Sequence, residues 1–538
     1  MMRTSVLIVG GGPVGSTLAL DLASRGIDVV VAERNPADQM RGVKCNHVAA
    51  RTMEVFRRLG FVQKVRDTGL PADHANDIAF RTSATGVEFA RIMIPCRRDR
   101  YTNKDGPDGW WPTPEPPHRI NQIYLDPLLA GIARDHPRIR YINQLEVEGF
   151  TQSEDGVAAE TIDLATGARQ VIECDYLVGC DGPTSRIRHL IDARLTGDAL
   201  IGRTQSTYVR APGLAERMQA TRAWSTQVMN PKRSGNMFAV DGRETWLIHN
   251  YLRDDETDFA DIDPDWCIRT IMGVDEDFSY EVITRENWIG RRLLADRFRD
   301  RRVFICGDAA HLWVPSAGFG MNAGIADAMN FSWMLAGVLH GWADPDILAA
   351  HEAERWPITE QVSHYAMNTT LMVARTRAEV PDDIEHNPAI QAALGQRMRE
   401  AHTPQFCCGG LNFGYFYDRS PIIQYDGESA PPYTMDQFTP STVPGCRTPH
   451  IWLVDGRSLY DAMGPDHCLL RFDRSVDISG LEEAAAYRNL PLCVLDVDQV
   501  DDYGQKLVLS RPDQHVAWRG DALPDNPLML VDKIRGAA

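Results

Sequence analysis

The chain opens on an unbroken aliphatic run, Val6-Leu7-Ile8-Val9. A run with no polar alternation predicts a strand buried on both faces, as in a parallel sheet. Residues 16–24 place Leu18, Leu20 and Leu22 among alanines, which predicts a small-residue helix packed on that sheet, stopped by Gly26. Val29-Val30-Val31-Ala32 repeats the buried-strand pattern and ends at Glu33. The pattern returns at Tyr176-Leu177-Val178, which runs into an Asp181-Gly182 turn, and at Val303-Phe304-Ile305-Cys306, which ends at Gly307-Asp308. Between about 190 and 285 the rhythm changes. Residues 207–210, 223–228, 235–240 and 244–249 alternate and are separated by turn residues, which predicts antiparallel strands. From about 335 to 400 the chain has few glycines and several apolar stripes, so helices are expected there. Residues 401–445 gather Gly, Pro and Cys and read as a long connection, in which 411–417 is apolar enough to pack. A last unit starts at Pro444 and holds the strand-like run Cys468-Leu469-Leu470-Arg471-Phe472.

The 538 residues suggest about three or four structural units. A chain of this length buries a large core without disulfide or metal staples. Its net charge of −18 repels phosphate backbones and anionic membranes, so neither nucleic acid nor a membrane is expected as a partner. The eleven cysteines include no CxxC pair, which argues for buried apolar thiols rather than a zinc site or disulfide framework. The first apolar run is too short to span a membrane and is followed by no small-residue cleavage site, so a cytoplasmic location is expected.

Gly10-Gly11-Gly12-Pro13-Val14-Gly15 stands between the first strand and the first helix with GxGxxG spacing. Gly10 permits the tight turn, Gly12 lets backbone approach a pyrophosphate, and Gly15 lets helix and strand pack closely. The helix start at Pro13 and Val14 offers bare N–H donors and a partial positive charge. Glu33, with Arg34 beside it, can accept both ribose hydroxyls and would repel a 2′-phosphate. FAD or NAD(H) fits this site and NADP does not; the motif alone does not separate the first two.

Two later segments add specificity. DGxxSxxR occupies 181–188, and GDAAHxxxPxxGxGxNxGxxDA occupies 307–328. With the GxGxxG, and in this order, they resemble the single-component FAD-dependent aromatic hydroxylases of class A. The resemblance implies that Gly307 and Asp308 contact the ribityl side of FAD, and that Asp181 lies near the pyrophosphate and the path of NADH or NADPH. It implies that the loop with Pro315, Gly318, Gly320, Met321 and Asn322 lies against the flavin ring. A helix N-terminus there would also steady the negative charge of reduced flavin. Arg41 and Gln122 stand where the family has flavin-contacting residues. Met334 stands where many relatives have Lys, so that polar contact is missing.

The antiparallel region is expected to hold the aromatic substrate, with Trp224, Met237, Trp246 and His249 as lining candidates. In the phenol hydroxylase branch, an Asp five residues before the residue matching Arg51 helps to deprotonate the phenol. Here that position is Asn46, which cannot act as a base but is placed in the substrate site, and His47 is the candidate base. The last unit resembles the thioredoxin-like C-terminal domain of the larger phenol-hydroxylase-type members. Without CxxC, it reads as structural or as a contact in a homo-oligomer.

The expected fold is therefore α/β: a Rossmann-like FAD domain with an inserted antiparallel β substrate domain and a thioredoxin-like C-terminal domain. The FAD-binding domain is expected at 1–80, 101–189 and 286–400, the substrate domain at 81–100 and 190–285, and the linker and C-terminal domain at 401–538. The reaction the resemblance implies uses NADH or NADPH, FAD and O2. A flavin C4a-hydroperoxide would hydroxylate a phenolic or hydroxylated heteroaromatic ring, polyketide-derived rings included. Two alternatives stand beside it: another flavin oxygenase on the same fold, of epoxidase or Baeyer–Villiger type, and a non-catalytic FAD- and ligand-binding protein. A halogenase is discounted because Gly109-Trp110-Trp111-Pro112 is not WxWxIP.

Overall fold

The computed structural model describes residues 2–39, 42–44, 46–218, 222–498 and 503–538. The first apolar run forms β1 (Met2–Val9), the small-residue segment α1 (Pro13–Ser24), and the second run β2 (Val29–Glu33). β1 pairs in parallel with β2, Val6 opposite Val29, and with Arg169–Gly179, Val6 opposite Tyr176. Ile139–Asn143 continues the sheet beyond β2, and Val303–Ile305 continues it beyond Arg169–Gly179. The absence of alternation now has its cause. Val6 and Ile8 pack in one core with α1 and the helix Gly320–His340, while Leu7 and Val9 pack in another with Val147, Ala159 and Phe298.

The second sheet has eight strands in the order His311–Leu312, Glu281–Ala295, Leu195–Arg210, Thr245–Tyr251, Gly235–Ala239, Ser225–Val228, Ile78–Arg81, Glu88–Ile92. All its pairings are antiparallel except that between Ser225–Val228 and Ile78–Arg81. Two expected domain boundaries need correction, because those at 80/81 and 285/286 fall inside strands of this sheet. A strand is held by its ladder partners, and these belong to one sheet along its whole length.

The expected helical region holds the end of Gly320–His340, then Ala349–Ala378 and Pro388–Phe406. The C-terminal unit is a four-stranded sheet ordered Leu492–Asp496, His467–Arg471, Leu507–Ser510, Val516–Gly520. Its first two strands are parallel and the rest antiparallel, with helices Ser479–Tyr487 and Pro527–Ile534 in contact, which is a thioredoxin-like order. A fully buried ion pair joins this unit to the rest: Arg511 Nη2 donates to Glu354 Oε2 at 2.8 Å. Among the described residues no helix is long and apolar enough to cross a membrane.

Candidate active site

The dinucleotide motif sits at the carboxyl ends of the parallel strands. Gly10 has φ +99°, and a Cβ there would stand 2.3 Å from the carbonyl oxygen of Cys180. A Cβ on Gly15 would stand 2.0 Å from the carbonyl oxygen of Gly10, so strand and helix meet at a distance only glycine allows. Gly12 is the extended N-cap of α1 and Pro13 fills its first turn. Val14 lies within contact distance of Gly307 and Gly324, joining this turn to the later Gly-Asp segment. Glu33 is buried at the end of β2. Its Oε2 accepts from Gly11 N and its Oε1 from Asn35 N, both at 2.8 Å, which fixes the carboxylate at the strand end. Arg34 is exposed at the same strand end.

Asp181 lies against the Gly10 turn: a Cβ on Gly10 would stand 2.9 Å from its Cα. Its carboxylate accepts from Ser185 Oγ at 2.5 Å, Arg186 N at 2.7 Å and Ile187 N at 3.1 Å. These bonds hold the turn that leads into the helix Arg186–Leu190, whose N-cap is Ser185.

Asp308 is different. It is solvent-reached, yet burial raises its carboxyl pKa against the opposing pull of His311 and Lys44. No described residue donates a hydrogen bond to it. The turn that carries it is rigid. Asp327, fully buried below, accepts from Gly307 N at 3.2 Å, His311 Nε2 at 2.7 Å and Arg355 Nε at 2.8 Å. Burial alone would raise the Asp327 pKa; His311 and Arg355 hold it well below the usual carboxylate range.

The Gly-rich loop follows. Gly318 N donates to Pro315 O at 3.0 Å, Gly320 opens the helix Gly320–His340, and Met321 is buried in the core beside it. Asn322 joins this loop to residues 47–52. Its Oδ1 accepts from Ala49 N and Thr52 Oγ1, both at 2.8 Å, and its Nδ2 donates to Gly318 O at 2.7 Å and His47 O at 3.1 Å. All four of its bonds go to protein, so Asn322 shapes the flavin loop from behind.

His47 packs on the loop: a Cβ on Gly318 would lie 3.0 Å from its Cβ. Its Nδ1 accepts from Arg119 Nη1 at 2.8 Å, which puts the ring proton on Nε2 of a neutral imidazole. Burial, then Arg119 and Arg100, hold its pKa well below the ordinary histidine value. A ring so placed takes up a proton poorly near neutrality, which corrects the expectation that His47 is a general base. Asn46 Oδ1 accepts from Asn121 Nδ2 at 2.6 Å, and Asn121 caps the helix that Gln122 begins. Arg41 lies outside the described residues.

From His47 a chain of contacts leads to the second sheet. The Arg119 guanidinium lies 4.0 Å over the Trp224 ring, and Trp224 meets Phe238 at 5.2 Å between centroids. Phe238 meets His249 at 5.4 Å. In the ladder, Phe238 is opposite Leu247, and His249 is opposite both Asn236 and Ser206, so these share one face. Met237 and Trp246 are opposite Ile248 and Ala239 on the other face, in a core with Ile268 and Ile271 of the helix Pro264–Met272. The expectation that Met237 and Trp246 line the site is thus corrected by strand alternation. His249 shares its face with Glu286, which meets Lys44 at 3.8 Å, so this face looks toward the segment that carries His47. Its Nδ1 lies 2.6 Å from Ser206 Oγ, and Trp288 Nε1 donates to the same hydroxyl at 2.7 Å. Sequence reasoning missed Arg119, Phe238 and Arg377; no local pattern marks them, and only their long-range neighbours do.

The residues fit FAD. The Gly10 turn, the acid at Glu33 and the carboxylate of Asp308 suit its pyrophosphate, ribose and ribityl parts, and the Gly318–Asn322 loop stands between them and an aromatic groove. This is the layout of a flavoprotein that brings a second, aromatic molecule to its flavin. Residues 3–366 match the FAD binding domain family, and residues 441–536 match the aromatic-ring hydroxylase C-terminal family. The chain belongs to the class A FAD-dependent aromatic hydroxylases, and it is an enzyme of the monooxygenase type. It is 29% identical to the FAD-dependent monooxygenase apdD of Emericella nidulans, over 96% of this chain and 88% of that one. It is 28% identical to a phenol 2-monooxygenase of a Pseudomonas species, over 100% of this chain and 93% of that one. Among solved structures, it is similar to the rebeccamycin biosynthetic enzyme RebC with reduced flavin, at a TM-score of 0.89, 33% identity, and 100% and 99% coverage of the two chains.

Proposed function

We propose that the enzyme hydroxylates a phenolic or hydroxylated heteroaromatic ring of more than one fused cycle, held on the sheet face of Phe238 and His249. The observation that carries this reading is the contact chain Gly318–His47–Arg119–Trp224–Phe238, which joins the flavin loop to an aromatic surface. Tetracenomycin monooxygenase-dioxygenases and a putative polyketide hydroxylase among the relatives support a multi-ring substrate.

Bound FAD supplies the redox chemistry, taking reducing equivalents from NADH or NADPH and activating O2. The chain's own residues do the rest. Asp308 holds ribityl hydroxyls, and Glu33 holds the ribose. Asn322 keeps the loop backbone in place beside the ring. Trp224 and Phe238 bind the substrate ring and exclude water. Arg119 supplies positive charge that favours an ionised phenol, so no side-chain base is required at Asn46 or His47. In this reading the sheet of residues 195–295, with 78–92, is the substrate domain. The free thiols suggest a reducing, cytoplasmic setting. Exposed Trp452 and Val454 on the C-terminal unit suggest a homo-oligomer, to be tested by light scattering.

The test is anaerobic stopped-flow absorbance of the FAD-loaded enzyme. Mixing with NADH or NADPH should bleach the flavin band faster with one class of hydroxylated polycycle than without it. Reduction at one rate with and without every aromatic tried would overturn the reading.

A further inference from the structure

A guanidinium without an acid stands in the aromatic groove. Arg377, near the end of the helix Ala349–Ala378, reaches the sheet face that carries His249. Its Nη2 donates to Asn236 Oδ1 at 2.8 Å and lies 3.5 Å from Gln227 Oε1. Its guanidinium lies 4.0 Å over the Tyr251 ring, and Tyr251 Oη accepts from Asn236 Nδ2 at 2.9 Å. Every one of these partners is neutral. Among the described residues no carboxylate forms an ion pair with Arg377, and its Nε has no hydrogen-bond partner.

Several deeply enclosed arginines are matched by acids, whereas Arg119 and Arg188, also buried, bond to neutral groups only. Arg511 meets Glu354 and Asp513, Arg355 meets Asp327, and Arg447 meets Glu54. A desolvated cation without a counter-charge is destabilising, so a neutral residue would serve the fold better than Arg377 does. Unlike those three, Arg377 is only half-buried. The histidines around it add no charge: burial, then Arg377, hold the pKa of His249 at about 4 and that of His402 at about 3. The positive charge at this end of the groove therefore rests on the guanidinium.

We propose that the aromatic substrate carries a carboxylate and that Arg377 binds it. The proposal rests on the hydroxylase reading above and names its substrate class. The guanidinium fork matches a carboxylate in shape as well as in charge. Its place in the groove sets the reach of the ligand. Asn236 is two residues from Phe238 along one strand, about 7 Å. Rings at Phe238, His249 and Tyr251 pave that interval, with centroid separations of 5.4 and 6.4 Å. The acid thus lies beyond the ring held at Trp224 and Phe238, on a fused or multi-ring scaffold.

The test uses the FAD-loaded full chain and the pair 6-hydroxy-2-naphthoate and 6-hydroxy-2-naphthamide. Binding is read by equilibrium dialysis and by the flavin difference spectrum. The carboxylate should bind about ten- to a hundredfold more tightly than the amide. Arg377→Met should abolish that preference at unchanged FAD content. Asn236→Asp, which places a carboxylate on the chain itself beside Arg377, should abolish it too and keeps the test open if Arg377→Met folds poorly. Equal binding of the pair, no binding by either, or a preference that survives in a folded variant would overturn the proposal. Failure of the hydroxylase reading looks different: carboxylate binding would still depend on Arg377, while flavin reduction would ignore every aromatic.

Discussion

Nη1 of Arg119 lies 2.8 Å from Nδ1 of His47, and this bond couples the flavin loop to the aromatic groove. The same arginine covers Trp224, and burial lowers its own pKa to about 10. It remains charged near neutrality and keeps His47 neutral. Arg119→Met should raise the His47 pKa part of the way, burial still opposing, and move any acid limb of the kcat/KM profile to higher pH. FAD content should hold, because Arg119 touches the loop only through His47. An unchanged profile would remove Arg119 from control of the site.

Asp308 is bonded to no described residue, whereas its turn is held from below by Asp327. Asp308→Ala should therefore leave the melting temperature of the apoprotein unchanged, since no bond within the chain is lost. FAD affinity should fall about ten- to a hundredfold, read by titrating apoprotein with FAD. An equal loss of apoprotein stability would make Asp308 a structural residue.

Asn322 makes four hydrogen bonds between the loop and residues 47–52. Asn322→Ala leaves those buried partners unpaired and should destabilise the enzyme by about 1–3 kcal/mol. Urea unfolding would show it, and flavin fluorescence should rise as the loop loosens.

The buried Arg511–Glu354 pair ties the C-terminal unit to the long helix. Arg511→Met alone should cost about 3–5 kcal/mol, because Glu354 is left charged and buried. Adding Glu354→Leu should restore only part of that loss, because Asp513 stays buried without Arg511 and Asn330 and Ser420 lose their acceptor. Thermal unfolding of the two variants separates an unpaired charge from a lost contact.

Buried histidines make the fold acid-sensitive. The pKa values of His249 and His351 are lowered to about 4, and those of His402, His467 and His515 to about 3, burial leading in each case. The unfolded chain binds protons near pH 6.5 and the folded chain does not, so stability rises with pH across this window. It should be complete above about pH 6.5 and fall toward pH 4, each histidine contributing about 1.4 kcal/mol per pH unit. Chemical denaturation at several pH values checks the sign and the slope.

Much of the architecture was written locally. Val6 to Val9 and Val29 to Ala32 lack alternation because both faces of their sheet are covered, and that pattern is visible in the residues alone. Gly10 and Gly15 were legible for a similar reason, since a left-handed turn and a close helix–strand approach each demand glycine at a set spacing. Asp308 stood out through the segment around it, and the structure adds that no described residue bonds to its carboxylate.

What tertiary structure alone decided is which way things face and who meets whom. Alternation at residues 235–249 separates two faces but does not say which one a helix will cover, so Met237 and Trp246 looked equivalent to His249. That Asp181 also holds the helix start at Arg186 is seen only in the folded turn. Arg377 and Asn236 are 141 residues apart, and Arg119 and His47 are 72 apart. Charge and burial at such positions are set by neighbours that only folding assembles. The residues near in sequence therefore determined the cofactor cradle, and the packing of distant elements determined the groove beside it.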